Sequence, residues 1–270
     1  MNSGNKLLDE EEQLLLSELL GERIGLHFGP DRREGLIDAL TPRLHALGLS
    51  SAMDYYHLLL YRFDAELPKL LPLLAGESNP FFEQFERMQG LVNQVVTGFD
   101  GRVKLLSAGC GTGEEAYSLA MAAGDHPSEA LIDIDAFDAD TNRINKARDG
   151  YYPIRSLRAA SPEQLRRFFQ RAAPERFLVR APWRHNVNFF CANLVDASSR
   201  RDLGPWHGIV CRDVLSLFSP EAVEKTLKLL FEAMLPGGLL LLGHSESLLG
   251  LSAGFRAVRL QNCTLYQRPI

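Results

Sequence analysis

The chain has 270 residues, which excludes a single small module and sets an expectation of about two domains. Hydrophobic residues make up 46% and charged residues 23%, as in a folded protein with a sizeable core and unlike a disordered chain. A formal charge of -5 argues against a general nucleic-acid binder, and no apolar run approaches the roughly 18 residues that span a bilayer.

The first hundred residues read as helices. Met1 to Lys6 followed by Asp9-Glu10-Glu11-Glu12 does not read as a signal peptide, so none is expected. Leu15, Leu16, Leu19 and Leu20 recur at helical spacing, and so do Leu36, Leu40, Leu44 and Leu47. Breaks are expected at Gly29-Pro30 and at Gly48. Met53 to Leu60 begins another helix that frays toward Pro68 and Pro72. Asn79-Pro80 is expected to open a long helix, asparagine capping and proline in the first turn, with Phe81, Phe82, Phe85, Met88, Leu91 and Val92 on its apolar face.

From Val103 the pattern changes. Apolar runs at Val103 to Leu106, Ala130 to Phe137, Val187 to Phe190, Gly208 to Cys211 and Leu239 to Leu242 alternate with helical stretches near Glu114 to Ala123, Asn142 to Arg148 and Pro220 to Met234. Such alternation predicts crossover units and a mostly parallel sheet. Tyr151 to Arg184 interrupts it as an insertion, and Phe255 to Gln267 reads as a last strand returning antiparallel.

The most informative stretch is Leu105-Leu106-Ser107-Ala108-Gly109-Cys110-Gly111-Thr112-Gly113-Glu114-Glu115, a strand feeding three alternate glycines and then a helix. Such a turn brings backbone close to a ligand at the carboxyl edge of a sheet. The next strand ends at Asp138, where a carboxylate suits both hydroxyls of a ribose. Glu114 and Glu115 at the helix start suit the helix dipole and would repel a pyrophosphate. A cationic nucleoside, S-adenosylmethionine, fits better than a dinucleotide. The competing explanation is a glycine turn that only packs a helix on a sheet.

At these residues the chain resembles the CheR-type chemotaxis receptor methyltransferases. Ala108 to Ser118 looks like that family's STGEEPYS turn, and Asp138-Ala139-Asp140-Thr141 with Lys146-Ala147 looks like its DIDT…KA segment. Asn193-Leu194, Cys211-Arg212-Asp213-Val214 (CRNV but for one residue) and Gly243-His244-Ser245-Glu246 follow in the family's order. The resemblance implies an α/β, doubly wound, Rossmann-like S-adenosylmethionine-dependent methyltransferase fold with an N-terminal all-helical domain and a small inserted β subdomain. The corresponding boundaries are 1–78 for the helical domain, 79–101 for a linking helix and 102–270 for the cofactor domain, with the insertion at 151–190. It implies that Asn79, Glu115, Asp138, Asn193, Leu194, Asp213 and Val214 touch the cofactor, with Gly109, Gly111 and Gly113 shaping its pocket.

The implied reaction is O-methylation of glutamate side chains on an acidic or coiled-coil partner such as the cytoplasmic domain of a chemoreceptor, with S-adenosylhomocysteine as product. A glutamate is ionised at neutral pH, so the chemistry asks for no general base. The location expected is cytoplasmic, with no nucleic-acid partner, no membrane insertion and no metal. Cys110, Cys191, Cys211 and Cys263 read as free thiols, and the seven histidines do not cluster with acids at metal spacing. His244 is expected to be a satisfied polar group under the pocket.

Three departures from the family mark the acceptor side. Glu83 stands where the family's FFR run has arginine, with Arg87 one turn on as a candidate replacement, and Leu217 stands where the family has tyrosine. Residues 1–95 hold fifteen acids against eight Lys/Arg, whereas the insertion sets eight arginines against Glu163 and Glu175. The run Arg171 to Arg176 has no glycine, so no tight tether for a receptor's C-terminal peptide is expected there. Two alternatives stay open: a binding module that transfers weakly or not at all, and a methyltransferase with another acceptor.

Overall fold

In this computed structural model the structure describes residues 8–74, 76, 78–127, 130–196, 204–248 and 254–270. The segment Met1 to Lys6 lies outside them. The chain divides into two units, Met1–Glu77 with Leu217–Ala222, and Ser78–Ser216 with Val223–Ile270.

The first unit is helical. Helix α1 (Glu10–Ile24) starts at a capping box in which the Asp9 side chain and Glu12 satisfy each other's backbone N–H, and ends at left-handed Gly25. Its buried polar residues hold the following segment: Gln13 Nε2 donates to the carbonyls of Phe28 and Gly29, and Ser17 Oγ accepts from Phe28 N. Helix α2 (Arg33–Leu47) stops at left-handed Gly48 as its sequence predicts. Helix α3 (Ala52–Leu74) does not fray at its prolines. It kinks instead at Arg62 (φ -130, ψ 27) and continues past Pro68 and Pro72, because Leu70, Leu71 and Leu74 bury the second half. A buried Glu66 carboxylate joins α2 to α3, taking Arg43 Nε at 2.5 Å and the Tyr55 hydroxyl at 3.0 Å.

In the second unit Asn79 and Pro80 do not begin a helix. Phe81 N donates to Ser156 O and Phe82 N to Ser118 Oγ, and left-handed Phe82 and Gln84 interrupt the helical path. Helix α4 therefore spans only Phe85–Gly98, burying Met88, Leu91, Val92 and Val95. The chain then runs through β1 (Val103–Ala108), α5 (Glu114–Gly124), β2 (Ile132–Asp138), α6 (Thr141–Asp149), β3 (Tyr151–Pro153), α7 (Pro162–Phe168), β4 (Phe169–Ala173), β5 (Arg176–Val179), the short α8 (Ala181–Arg184), β6 (Val187–Cys191), β7 (Trp206–Cys211), α9 (Pro220–Ala233), β8 (Met234–Leu242), β9 (Arg256–Arg259) and β10 (Thr264–Gln267). The last stretch is thus two strands and not one: Leu260 N bonds Cys263 O and closes a turn between them.

The main sheet has the order β6-β2-β1-β7-β8-β10-β9. Pairs from β6 to β8 are parallel, and β10 returns antiparallel beside β8. Strand β1 buries Val103 and every residue from Leu105 to Ala108, the pattern of a strand covered on both faces. The strand order reverses between β1 and β7, so the crevice for a ligand lies at their carboxyl ends. The three-stranded sheet β3-β5-β4 forms within the stretch that interrupts the strand–helix alternation. Pro174 and left-handed Glu175 make the turn between β4 and β5. No described helix is long and apolar enough to cross a membrane.

Candidate active site

The glycine turn leaves β1 at the switch point. Gly109 N and Cys110 N both donate to Phe137 O, which ties the turn to the end of β2. Gly109 has φ 76, and a Cβ there would stand 2.6 Å from Val214 Cγ2. Gly111 has φ 57, and a Cβ there would stand 2.5 Å from Ser78 Oγ. Both positions combine a left-handed backbone with a neighbour too near for any side chain. Gly113 has φ 95, and a Cβ there would stand 2.8 Å from Ala147 Cβ and 2.9 Å from the Tyr152 hydroxyl, where α5 and α6 meet the insertion.

Asp138 closes β2. Its Oδ2 accepts from Gly111 N at 2.9 Å and its Oδ1 from Asp140 N at 2.9 Å. Each oxygen keeps one further acceptor position for a ligand hydroxyl. Burial pushes this carboxyl above the usual aspartate range, against the Asp140 and Gly111 amides and the Arg143 charge. Asp140, buried behind it, caps α6 by accepting from Asn142 N at 2.8 Å.

Glu115, in the first turn of α5, accepts from Ser107 Oγ at 2.8 Å and lies 3.5 Å from Arg212 Nη1. Burial pushes its carboxyl up to about 7, Arg212 and the Ser107 bond acting the other way and Asp213 and Glu246 adding to the rise. The neighbouring Glu114 points elsewhere. It accepts from Thr112 Oγ1 at 2.6 Å and Ser156 Oγ at 3.1 Å, stitching the glycine turn to the insertion.

Past β7, Asp213 adopts φ 59 and accepts from Asn79 Nδ2 at 2.7 Å. Asn79 is thus a partner of the cleft and not a helix cap. Asn193 and Leu194 follow β6, where Ala192 N donates to the Asp138 carbonyl and Asn193 Oδ1 accepts from Val195 N. Leu194 is buried. Asn79, Gly109, Gly111, Glu115, Asp138, Asn193, Leu194, Asp213 and Val214 therefore all lie at one edge of one sheet.

Four residues that bind this edge together have no role in the sequence reading. Ser78 accepts from Thr112 N at 3.1 Å, Ser107 orients Glu115, and Arg212 is a buried cation beside Glu83, Glu115 and Asp213. Glu246 accepts from Asp213 N, Ser216 N and Gly243 N at 2.9, 3.1 and 2.8 Å. The signal was present for two of them: Arg212 directly follows a buried apolar strand, and Glu246 ends the Gly243-His244-Ser245-Glu246 run. Two expectations fail. Arg87 does not replace the missing arginine, since its Nη1 is taken up by Gln84 Oε1 beside an open groove between α4 and α7. His244 is exposed, because β8 ends before it and the Glu246 carboxylate holds the turn. Leu217 belongs to the first unit.

Glu115, Asp138, Asp213 and Glu246 outnumber the Arg212 and Arg143 cations, so the cleft carries a surplus of acid suited to a positively charged ligand. The residues present fit S-adenosylmethionine on that ground and on the doubly held Asp138 carboxylate. A doubly wound sheet with this crevice defines the class: an S-adenosylmethionine-dependent methyltransferase. The family model for the CheR methyltransferase, SAM binding domain, matches residues 77–264. The chain belongs to the CheR methyltransferase family. It is 32% identical to the chemotaxis protein methyltransferase of Klebsiella aerogenes over 89% of this chain and 84% of that protein. Identity is 30% to the chemotaxis protein methyltransferase of Escherichia coli, over 89% of this chain and 85% of that one. With chemotaxis protein methyltransferase 2 of Vibrio cholerae it is 27% over 92% and 89% of the two chains.

Proposed function

We propose that this chain methylates glutamate side chains of a chemoreceptor-like coiled coil. The observation that carries the reading is a cleft rich in carboxylates, in a chain similar to proteins named chemotaxis protein methyltransferases. When bound, S-adenosylmethionine supplies a methyl group on a sulfonium; a carboxylate oxygen takes it, the C–O bond forming as the C–S bond breaks and leaves its electron pair on sulfur. No proton moves, so the reaction asks for no general base and positioning does the catalytic work.

The chain's residues divide that work. Asp138 would hold the ribose hydroxyls, Gly109 and Gly111 would admit the cofactor to the backbone, and Glu115 and Asp213 would receive its cationic end. Val214 and Leu194 would offer apolar surface to the adenine, and Asn79 steadies Asp213. Glu83 favours a second reading, a binding module with slow transfer, because it puts a carboxylate where the family carries a cation.

Incubation with methyl-labelled S-adenosylmethionine and a receptor fraction separates the two. The expected result is label on the receptor that mild base releases, as a carboxyl methyl ester. Base-stable label would mean another acceptor, and tight cofactor binding without transfer would favour the second reading.

A further inference from the structure

Arg212 is among the most deeply buried charged side chains of the second unit, with 1% of its side chain exposed. Its Nη1 donates to the Glu83 carbonyl at 3.1 Å and lies 3.5 Å from Glu115 Oε2. Its Nη2 stands 3.4 Å from Glu83 Oε2 and 3.9 Å from Asp213 Oδ2. Nε is buried with no hydrogen-bond partner among the described residues. The backbone on both sides is in an unusual state. Phe82, Gln84 and Asp213 have φ of 61, 54 and 59, values that residues with side chains keep only where the surroundings hold them. The guanidinium bonds the carbonyl between the first two and adjoins the third.

We infer that Arg212 is a positioning residue: it clasps the Phe82-Glu83-Gln84 turn to the end of β7 and sets its positive charge beside Glu115, where the cationic end of the cofactor is received. This rests on the reading that Glu115 faces that end.

The groups around Glu115 leave Arg212 as the cation that matters. Ser107 donates to it from β1. Asp213 and Glu246 raise its pKa, as burial does, and the thiols of Cys110 and Cys211, themselves pushed far up by burial, carry no charge at neutral pH. Glu83 competes with Glu115 for the same guanidinium. With its carboxyl near 7, Glu115 is divided between protonated and ionised forms in the unliganded protein at neutral pH. A cationic ligand selects the ionised form. Affinity for S-adenosylmethionine therefore rises with pH, by up to tenfold per unit below the midpoint, and flattens above it.

The test is calorimetric titration of the full chain with S-adenosylmethionine from pH 5.5 to 8.5, for wild type, Arg212→Gln, Arg212→Lys, Glu83→Gln and Glu115→Gln. Arg212→Gln is expected to move the midpoint up by about one unit or more, as loss of an opposite charge at this range does. Arg212→Lys keeps the charge and loses the planar fork, so its midpoint stays near wild type while affinity falls at every pH. Glu83→Gln frees the guanidinium for Glu115 and lowers the midpoint, and Glu115→Gln abolishes the pH-dependent limb. A wild-type limb left unmoved by Arg212→Gln, or an equal loss of affinity at all pH values in that variant, would overturn the inference alone. If Arg212→Gln fails to fold, the Glu83→Gln midpoint decides, and an unchanged value overturns the inference. A wild-type protein with no limb at all would overturn the reading of Glu115 itself and the inference with it.

Discussion

Asp138 is held by two backbone amides of its own neighbourhood, Gly111 N and Asp140 N, and so arrives at the cleft already oriented. Replacing it with alanine removes the acceptor for a ribose and strips both amides of their partner. A charge-assisted hydrogen bond contributes about 1.5–3 kcal/mol, so Asp138→Ala is expected to weaken S-adenosylhomocysteine binding at least ~10-fold in a calorimetric titration. Arg87→Ala is the control. Its guanidinium is taken by Gln84, away from the Arg212 cluster, and affinity is expected to stay within about twofold of wild type. A large loss in Arg87→Ala would mean that the groove beside α4 communicates with the cofactor cleft.

The elements that form the crevice are tied at their ends by a carboxylate remote in sequence. Glu246 joins the carboxyl ends of β7 and β8 through three backbone N–H groups, and two of these, on Asp213 and Gly243, share one oxygen. Truncation to alanine leaves those donors without their acceptor in a half-buried turn. A cost of about 2–4 kcal/mol is expected, and at roughly 2–4 °C per kcal/mol for a unit of this size the melting temperature falls by several degrees. An unchanged Tm would show that water takes over all three donors. Element boundaries follow the same logic: α4 starts at Phe85 and not at Asn79, because the Phe81 and Phe82 amides are already engaged by Ser156 and Ser118.

For the whole molecule, both tryptophans, Trp183 and Trp206, lie in the second unit. Trp206 is buried, and its Nε1 donates to Asp135 at 3.0 Å. Intrinsic fluorescence therefore follows the unit that contains the cleft. A ligand that binds only the folded state stabilises it by about 2.7 kcal/mol at a hundred times its Kd. S-adenosylhomocysteine at that excess is expected to raise the fluorescence-detected melting temperature by several degrees, whereas NAD, whose pyrophosphate meets the acidic helix start, leaves it unchanged. An equal rise with NAD would contradict the anionic character of the cleft. The distribution of charge is also a whole-chain property. Arg155, Arg158, Arg166, Arg171, Arg176 and Arg180 are exposed on the insertion, and the Arg167–Asp125 pair at 2.6 Å ties the insertion to the end of α5.

Much of this protein was legible in its linear order. The glycine turn declares itself because a left-handed backbone and a close neighbour are local demands that glycine meets. Asp138 follows because a strand's end sets where its last side chain falls, and the parallel sheet follows from the strand–helix alternation. The bonding partners of Asn79, Glu83, Arg212 and Glu246 were not legible, although each residue was in plain sight. Glu83 and Arg212 are 129 positions apart, and Asn79 and Asp213 are 134 apart. Local signals made Asn79 a helix cap and offered Arg87, one turn on, as a replacement for the family's arginine, since neighbours along a helix are all that spacing can reveal. Only the folded sheet, by bringing the ends of β1, β7 and β8 and the turn before α4 to one edge, decided which charge meets which. The reason is physical: buried charges are satisfied by whatever the closed chain places within a few ångströms, and that distance does not exist until the core has formed.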